Sequence, residues 1–253
     1  MLRPRIIPCL LLQNGALVKT VQFANPKYVG DPLNAVRIFN EKEVDEITVL
    51  DIDATAQKRE PNYTLIANLA AECRMPLCYG GGVTSADQVQ RLVSLGVEKV
   101  AMSAAAIARP ELISEAATKV GSQSVVVVLD VRRAGDRWEV FTHNGSRSSG
   151  LDPVTFATKA ESLGAGEVVV NSIDRDGVMK GYDLDLVTKV REAVRLPLTI
   201  LGGAGSLKDV GDLIHRFGLI GAAAGSLFVF KGVYKAVLIT YPSRADKDAL
   251  TRG

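Results

Sequence analysis

The chain predicts a single (β/α)8 barrel made of two similar halves, and three observations carry that prediction. The stretch ITVLDIDA from Ile47, followed by a helical pattern and MPLCYGGGVTS from Met75, returns as EVVVNSIDRDG from Glu167 and LPLTILGGAGS from Leu196. Ile52-Asp53 matches Ile173-Asp174 and Gly81-Gly82 matches Gly202-Gly203, each pair 121 residues apart. A strand ending in Asp, a helix, then a strand ending in glycines is a half-barrel unit. Short apolar, β-branched runs alternate with helical patterns throughout, as in a parallel sheet covered by helices. The length, 253 residues, is that of one such barrel. The reading is one domain over 1–253, with half-barrels at about 1–120 and 121–245.

Taken in order, the predicted strands are Arg5–Leu11, Glu46–Asp51, Pro76–Tyr79, Lys99–Ser103, Ser124–Asp130, Glu167–Asn171, Pro197–Leu201 and Leu219–Ala223. Each is a near-continuous apolar run, the mark of a strand buried on both faces. Helical patterns lie between them, including Tyr63–Cys73, Ala86–Leu95, Asp152–Leu163 and Leu184–Ala193. Two connections are longer. Leu12 to Asp31 is rich in Gly, Asn and Pro and reads as a loop after the first strand. Arg132 to Ser149 contains WEVFTHNG and reads as a small hairpin. Long connections on that rim serve as lids or clamps. The charged tail from Ser243 reads as frayed.

Composition excludes several functions. The net charge of +2 comes from interspersed Lys, Arg, Asp and Glu, so neither nucleic acid nor an acidic membrane is indicated as a partner. Three cysteines without a C-x-x-C, and only His143 and His215, argue against a metal site and for a reduced, cytoplasmic setting. The apolar start IIPCLLL is short, contains Pro8 and runs into Gln13-Asn14-Gly15, so it reads as a strand rather than a signal peptide. No run reaches the ~18 apolar residues of a membrane helix. Nothing in the sequence calls for a cofactor.

In a (β/α)8 barrel the C-terminal strand ends form the active rim. Asp51, Asp130 and Asp176 fall at or just beyond such ends. Any one of them can also be a helix cap or an Asx-turn. Asp130 differs because alternation from Val126 and Val128 points it at the barrel axis, where a carboxylate can exchange protons with a bound substrate. Glycines cluster at Gly80-Gly81-Gly82, at Gly202-Gly203 with Gly205, and at Gly225-Ser226. Such clusters make tight turns, and they also let backbone N–H groups approach an anion. Their recurrence in both halves predicts two phosphate sites, with Ser103-Ala104 beside the first and Gly225-Ser226 beside the second.

At the opposite rim, Arg5, Glu46, Lys99 and Glu167 open four apolar strands. Charges at strand starts are ordinarily solvated. Alternation nevertheless points Arg5, Lys99 and Glu167 inward, so two cations and two anions can form one neutral ring.

The segments RIIPCL, LDIDA, GGGV, GSQSVVVVLD, GAGE, SIDRDG, GYD and GGAG resemble the cyclase subunit of imidazole glycerol phosphate synthase over nearly the whole chain. The resemblance implies a (β/α)8 barrel that receives ammonia through its core from a glutaminase subunit on the N-terminal rim. It implies ring closure on a substrate carrying two phosphates. By the same resemblance Arg5, Glu46, Lys99 and Glu167 match the ammonia gate, and Asp130 matches one of two catalytic aspartates. Lys19 matches a lysine of the mobile first loop. Gly82, Asp176, Gly177, Gly203, Gly225 and Ser226 fall on phosphate-binding positions, and Asp51, Ser103 and Asn171 join them as expected substrate contacts.

The departures matter equally. The family's other catalytic aspartate ends the first strand, where this chain has Leu11, and its Asn and Thr after the fourth strand are Ser103 and Ala104 here. A leucine moves no proton, and losing one of an acid–base pair costs ~100- to 10,000-fold. The pattern resembles a paralogous branch that amidates sugars of bacterial surface polysaccharide. That branch works with its own glutaminase and a sugar amidotransferase on a phosphorylated or nucleotide-sugar substrate. Two other readings stand beside it: a histidine-pathway cyclase with an altered site, and a non-catalytic ammonia-conducting scaffold. Leu11 weighs against the first, and Asp130 with the glycine clusters against the second.

Overall fold

The computed structural model describes residues 3–251. Eight parallel strands close into a barrel: β1 (Arg5–Gln13), β2 (Ile47–Asp51), β3 (Leu77–Gly80), β4 (Lys99–Met102), β5 (Val125–Ala134), β6 (Glu167–Ser172), β7 (Leu198–Leu201) and β8 (Gly221–Ala224). Each pairs with the next, and β8 returns to β1 through Arg5↔Gly221 to Pro8↔Ala224. The closed sheet leaves no parallel edge exposed.

Alternation along these strands divides the core. Residues facing outward, such as Ile6, Leu10, Ile47, Val49, Val127 and Leu129, pack with the helices into one continuous cluster. Residues facing inward form two small clusters, Ile7, Cys9, Leu201 and Ala223, and Cys78, Ala101, Val126 and Val128, bridged by Leu50 and Val169. The helices are set by caps the sequence supplies. Ser85 and Ser206, again 121 residues apart, accept from the backbone N–H three residues on. Asp152 and Asp183 do the same for the helices Pro153–Ser162 and Leu184–Ala193.

Two expectations are corrected. The segment after β1 is a β-ribbon rather than a loop: Ala16–Val21 pairs antiparallel with β1, and Ala24–Gly30 pairs with it in turn. Left-handed Asn14 and Gly15 make its first turn, which is why polar turn residues there read as loop. The tail is a helix, Arg244–Thr251, packed on the helix Leu207–Phe217, where Gly211 makes room for Leu250. Lys247 pairs with Asp45 at 2.7 Å and anchors this helix beside the N-terminal rim. The hairpin expected within 132–149 is present: β5 continues to Ala134 and pairs with Arg137–Thr142.

Candidate functional site

One cavity at the C-terminal rim gathers most of the residues singled out above. Asp130, Asp51, Asp176, Lys19, Ser103, Asn171, Gly82, Gly177, Gly203, Gly225, Ser226 and Leu11 all line it.

Asp130 and Asn171 are register partners on β5 and β6, so their side chains meet on the inner face. Asn171 Nδ2 donates to Asp130 Oδ1 at 2.8 Å. Burial pushes the Asp130 carboxyl up to about 6, against the Asn171 hydrogen bond, which lowers it. A group tuned this way exchanges protons near neutrality. Leu11 lines the same cavity and packs with Ile7, Cys9, Leu201 and Ala223, so no carboxylate stands there.

Lys19 lies on the ribbon strand, buried, and its ammonium donates to the Cys9 carbonyl. Burial lowers its pKa, partly offset by Cys9 and Asp176. Its side chain passes over Gly225, where a Cβ would collide with Nζ. The remaining aspartates have structural partners. Asp51 Oδ1 accepts from Asp53 and Ala54 N–H at 3.0 Å each, an Asx-turn, and burial raises its pKa. Asp176 accepts from Thr20 Oγ1 at 2.8 Å and fastens the ribbon, which Gly177 allows to approach by lacking a Cβ.

Gly82 and Gly203 both have positive φ, +73° and +118°, and each is crowded by a carbonyl, of Arg59 and Gly181 respectively, so neither tolerates a side chain. Ser103 Oγ is buried without a hydrogen-bond partner. Among the lining residues that the sequence did not single out are Thr55, Phe23 and His143. His143 and Asn144 sit at left-handed positions in the hairpin turn, and Asn144 Nδ2 ties that turn to Ile52 O at 2.9 Å. The HNG turn motif signals the conformation, and nothing in the sequence places it over the cavity.

At the other end, the four rim charges form a closed ring. Arg5 bonds Glu46 and reaches Glu167 Oε1 at 2.8 Å, while Lys99 Nζ bridges Glu46 at 2.7 Å and Glu167 at 2.8 Å. Glu46 and Glu167 are buried. Burial alone would raise Glu167, but the Arg5 hydrogen bonds and charge, with Lys99, hold it down at about 2. Lys99 and Arg5 are raised in turn, burial being outweighed by the two carboxylates. No cluster of three metal-ligating side chains occurs among the described residues, and no described helix is long and apolar enough to cross a membrane.

A closed (β/α)8 barrel with an acid-bearing cavity at one rim and a neutral charge ring at the other defines the class as a barrel enzyme. The family model "Histidine biosynthesis protein" matches residues 5–235, and the chain belongs to that family, with the HisF-like cyclase subunits of imidazole glycerol phosphate synthase. A Leptospira interrogans protein, provisionally named imidazole glycerol phosphate synthase subunit HisF, is 56% identical over 99% of both chains. A Vibrio vulnificus protein provisionally named subunit hisF3 is 55% identical over 98% of this chain and 96% of its own. A Pseudomonas aeruginosa protein provisionally named subunit hisF2 is 52% identical over 96% of this chain and 97% of its own.

Proposed function

We propose that this chain is the ammonia-accepting barrel subunit of a glutamine-dependent amidotransferase system serving amidation of a sugar in surface polysaccharide (O-antigen) biosynthesis. One contrast carries the reading. The charge ring is complete, whereas the cavity above it holds Asp130 without the second carboxylate that ring closure uses, because Leu11 occupies that place. A glutaminase subunit docks on the N-terminal rim in this reading, and the ring admits the ammonia it releases. Ammonia is neutral and passes an apolar core lined by Ile7, Val128 and Val169, while ammonium is held back by its desolvation cost. Asp130, mostly ionised at neutral pH, accepts a proton as the amine adds. Gly82 with Ser103, and Gly203 with Gly225 and Ser226, hold the phosphates of a phosphorylated or nucleotide-sugar substrate. The reading places the system in the cytoplasm and gives it no cofactor.

The names of the relatives favour a second reading, a histidine-pathway cyclase. Both readings meet one experiment. The chain and its glutaminase are purified together and supplied with glutamine and the imidazole precursor, or with a nucleotide sugar and its amidotransferase. Amidated sugar with no imidazole product supports the proposal; efficient imidazole formation overturns it. A scaffold without chemistry would leave amidation unchanged when Asp130 is replaced by Asn.

A further inference from the structure

Beyond the eighth barrel strand the chain builds a small hairpin that takes no part in the barrel. Phe230–Lys231 pairs antiparallel with Ala236–Val237, and Gly232 and Lys235 turn the chain at positive φ. The base of the hairpin is fixed. Phe230 is buried in the main core cluster, and the Leu238 N–H donates to the Val229 carbonyl at 3.0 Å. From the ribbon, Lys27 Nζ donates to the Lys235 carbonyl at 2.9 Å and lies 5.0 Å from the centre of the Phe230 ring. The tip held out by these contacts is apolar. Val233 is 90% and Tyr234 92% exposed, and Val237 and Leu238 are half exposed. A tip already tethered loses little freedom on binding, and tyrosine is a frequent anchor of protein interfaces.

The charge around the tip selects the partner. Residues 1–30 and 213–245, which supply the ribbon and the hairpin, hold eight of the 30 Lys and Arg and none of the 28 Asp and Glu. The remainder of the chain is net negative. Lys27, Lys231 and Lys235 flank the tip, and none of them makes an ion pair among the described residues. Twofold pairing with a second copy would bring these lysines onto one another. Three lysines, one of them tethered, fall short of the ~4–8 that hold a protein on an anionic membrane. An acidic protein surface with an apolar pocket meets both the lysines and the tip. Position supplies the rest. Gly225 and Ser226 line the cavity just ahead of the hairpin, and Phe23 and Pro26 line it just ahead of Lys27. A protein seated on the tip stands beside the cavity mouth, at the end of the barrel opposite the charge ring.

We infer that the Val233-Tyr234 tip, with Lys27, Lys231 and Lys235, is the docking surface for an acidic partner protein, the sugar amidotransferase of the same system. The inference rests on the reading of the chain as a subunit for sugar amidation.

The test measures binding of the purified amidotransferase to the full chain by isothermal titration at low and high sodium chloride. Val233→Asp and Tyr234→Asp should each raise Kd by ~10-fold or more, while Tyr234→Phe keeps the parent value. Lys231→Glu should weaken binding and flatten its salt dependence. These side chains are exposed, so the variants should fold, and their affinity for the glutaminase should stay at the parent value. Equal affinities across the variants, or binding indifferent to salt, overturn the surface. So does a tip that binds vesicles of phosphatidylglycerol and phosphatidylcholine but not the amidotransferase, or one that dimerises the chain in sedimentation. The two failures differ in product. Undiminished amidation with Tyr234→Asp at limiting amidotransferase strikes the docking surface alone. Efficient imidazole formation by the unmodified chain, with no amidated sugar, strikes the functional reading and the surface with it.

Discussion

Thr199 donates its hydroxyl to Glu167 Oε1 at 2.5 Å, and Gly221 on the adjacent strand makes the room for it. Thr199 pairs with Gly221 in the β7–β8 register, and Gly221 pairs with Arg5 in β8–β1. The charge ring therefore has a neutral fifth contact. Replacing Thr199 with Val keeps the shape and removes a hydrogen bond to a carboxylate, an expected loss of ~1.5–3 kcal/mol. Gly221→Ala should cost a similar ~1–3 kcal/mol by overpacking against the same hydroxyl. Urea unfolding of both single variants and the double measures this. Because the two act on one contact, their effects should fall short of additive; full additivity would separate them.

Glu167 and Asp130 give opposite pH dependences. Glu167, depressed to about 2, contributes stability that is complete above the unfolded pKa near 4.5 and is lost as pH falls toward 2. Asp130, raised to about 6, works the other way: the folded state is penalised as pH rises from near 3.8 to 6, and the penalty persists above. Asp130→Asn should therefore stabilise the protein at pH 7 by up to about 3 kcal/mol, with the gain fading below pH 4. Melting temperatures at pH 3.5, 5 and 7.5 read this out. An Asn variant less stable than the parent at pH 7.5 would contradict the burial argument.

The barrel and its cavity were largely legible because the inner and outer faces of strands obey period two. Alternation from Val126 and Val128 set the direction of Asp130, and the repeated glycines marked both turns of the rim. The pairing of Arg5, Glu46, Lys99 and Glu167 was less so. Charges at strand starts look alike whether solvated or paired, and only closure of the sheet brings residues 162 positions apart into contact. The ribbon after β1 was misread because Gln13-Asn14-Gly15 and Phe23-Ala24-Asn25 are turn-rich, while its pairing with β1 depends on a register no local pattern shows. His143 was missed for a related reason, since its place over the cavity comes from the tether between Asn144 and Ile52.

Gly225→Ala probes the Lys19 crossing. The added Cβ would collide with the end of a flexible side chain, so the fold should survive within ~1 kcal/mol while Lys19 leaves the Cys9 carbonyl. Inorganic phosphate should then bind more weakly by isothermal titration. Unchanged phosphate affinity with a displaced Lys19 would remove this corner from the anion site.

Lys99→Ala leaves Glu46 and Glu167 buried with Arg5 as their remaining cation. Breaking a buried pair by deleting one partner costs on the order of 3 kcal/mol, somewhat less here because Lys99 keeps 19% side-chain exposure. With the glutaminase present, product formed per glutamine hydrolysed should fall and free ammonia should appear. Coupling unchanged in both Lys99→Ala and Arg5→Ala would reduce the ring to a structural clamp.

Leu11→Asp places a carboxylate on the cavity wall. Leu11 packs against the inward cluster of Ile7, Cys9, Leu201 and Ala223, so the change should cost ~2–4 kcal/mol from lost burial and an unpaired charge. A carboxyl at position 11 and that of Asp130 raise each other's pKa, since like charges in a poorly hydrated space resist ionising together. The Asp130 titration should therefore move above about 6 in the variant. If Leu11 is what excludes ring closure, the variant should gain imidazole-forming activity with ammonium chloride and the imidazole precursor, by ~100-fold over the parent. The parent should not restore growth to a histidine auxotroph lacking the cyclase. Full growth from the unmodified chain would mean that one carboxylate suffices, and the sugar-amidation reading would lose its main support.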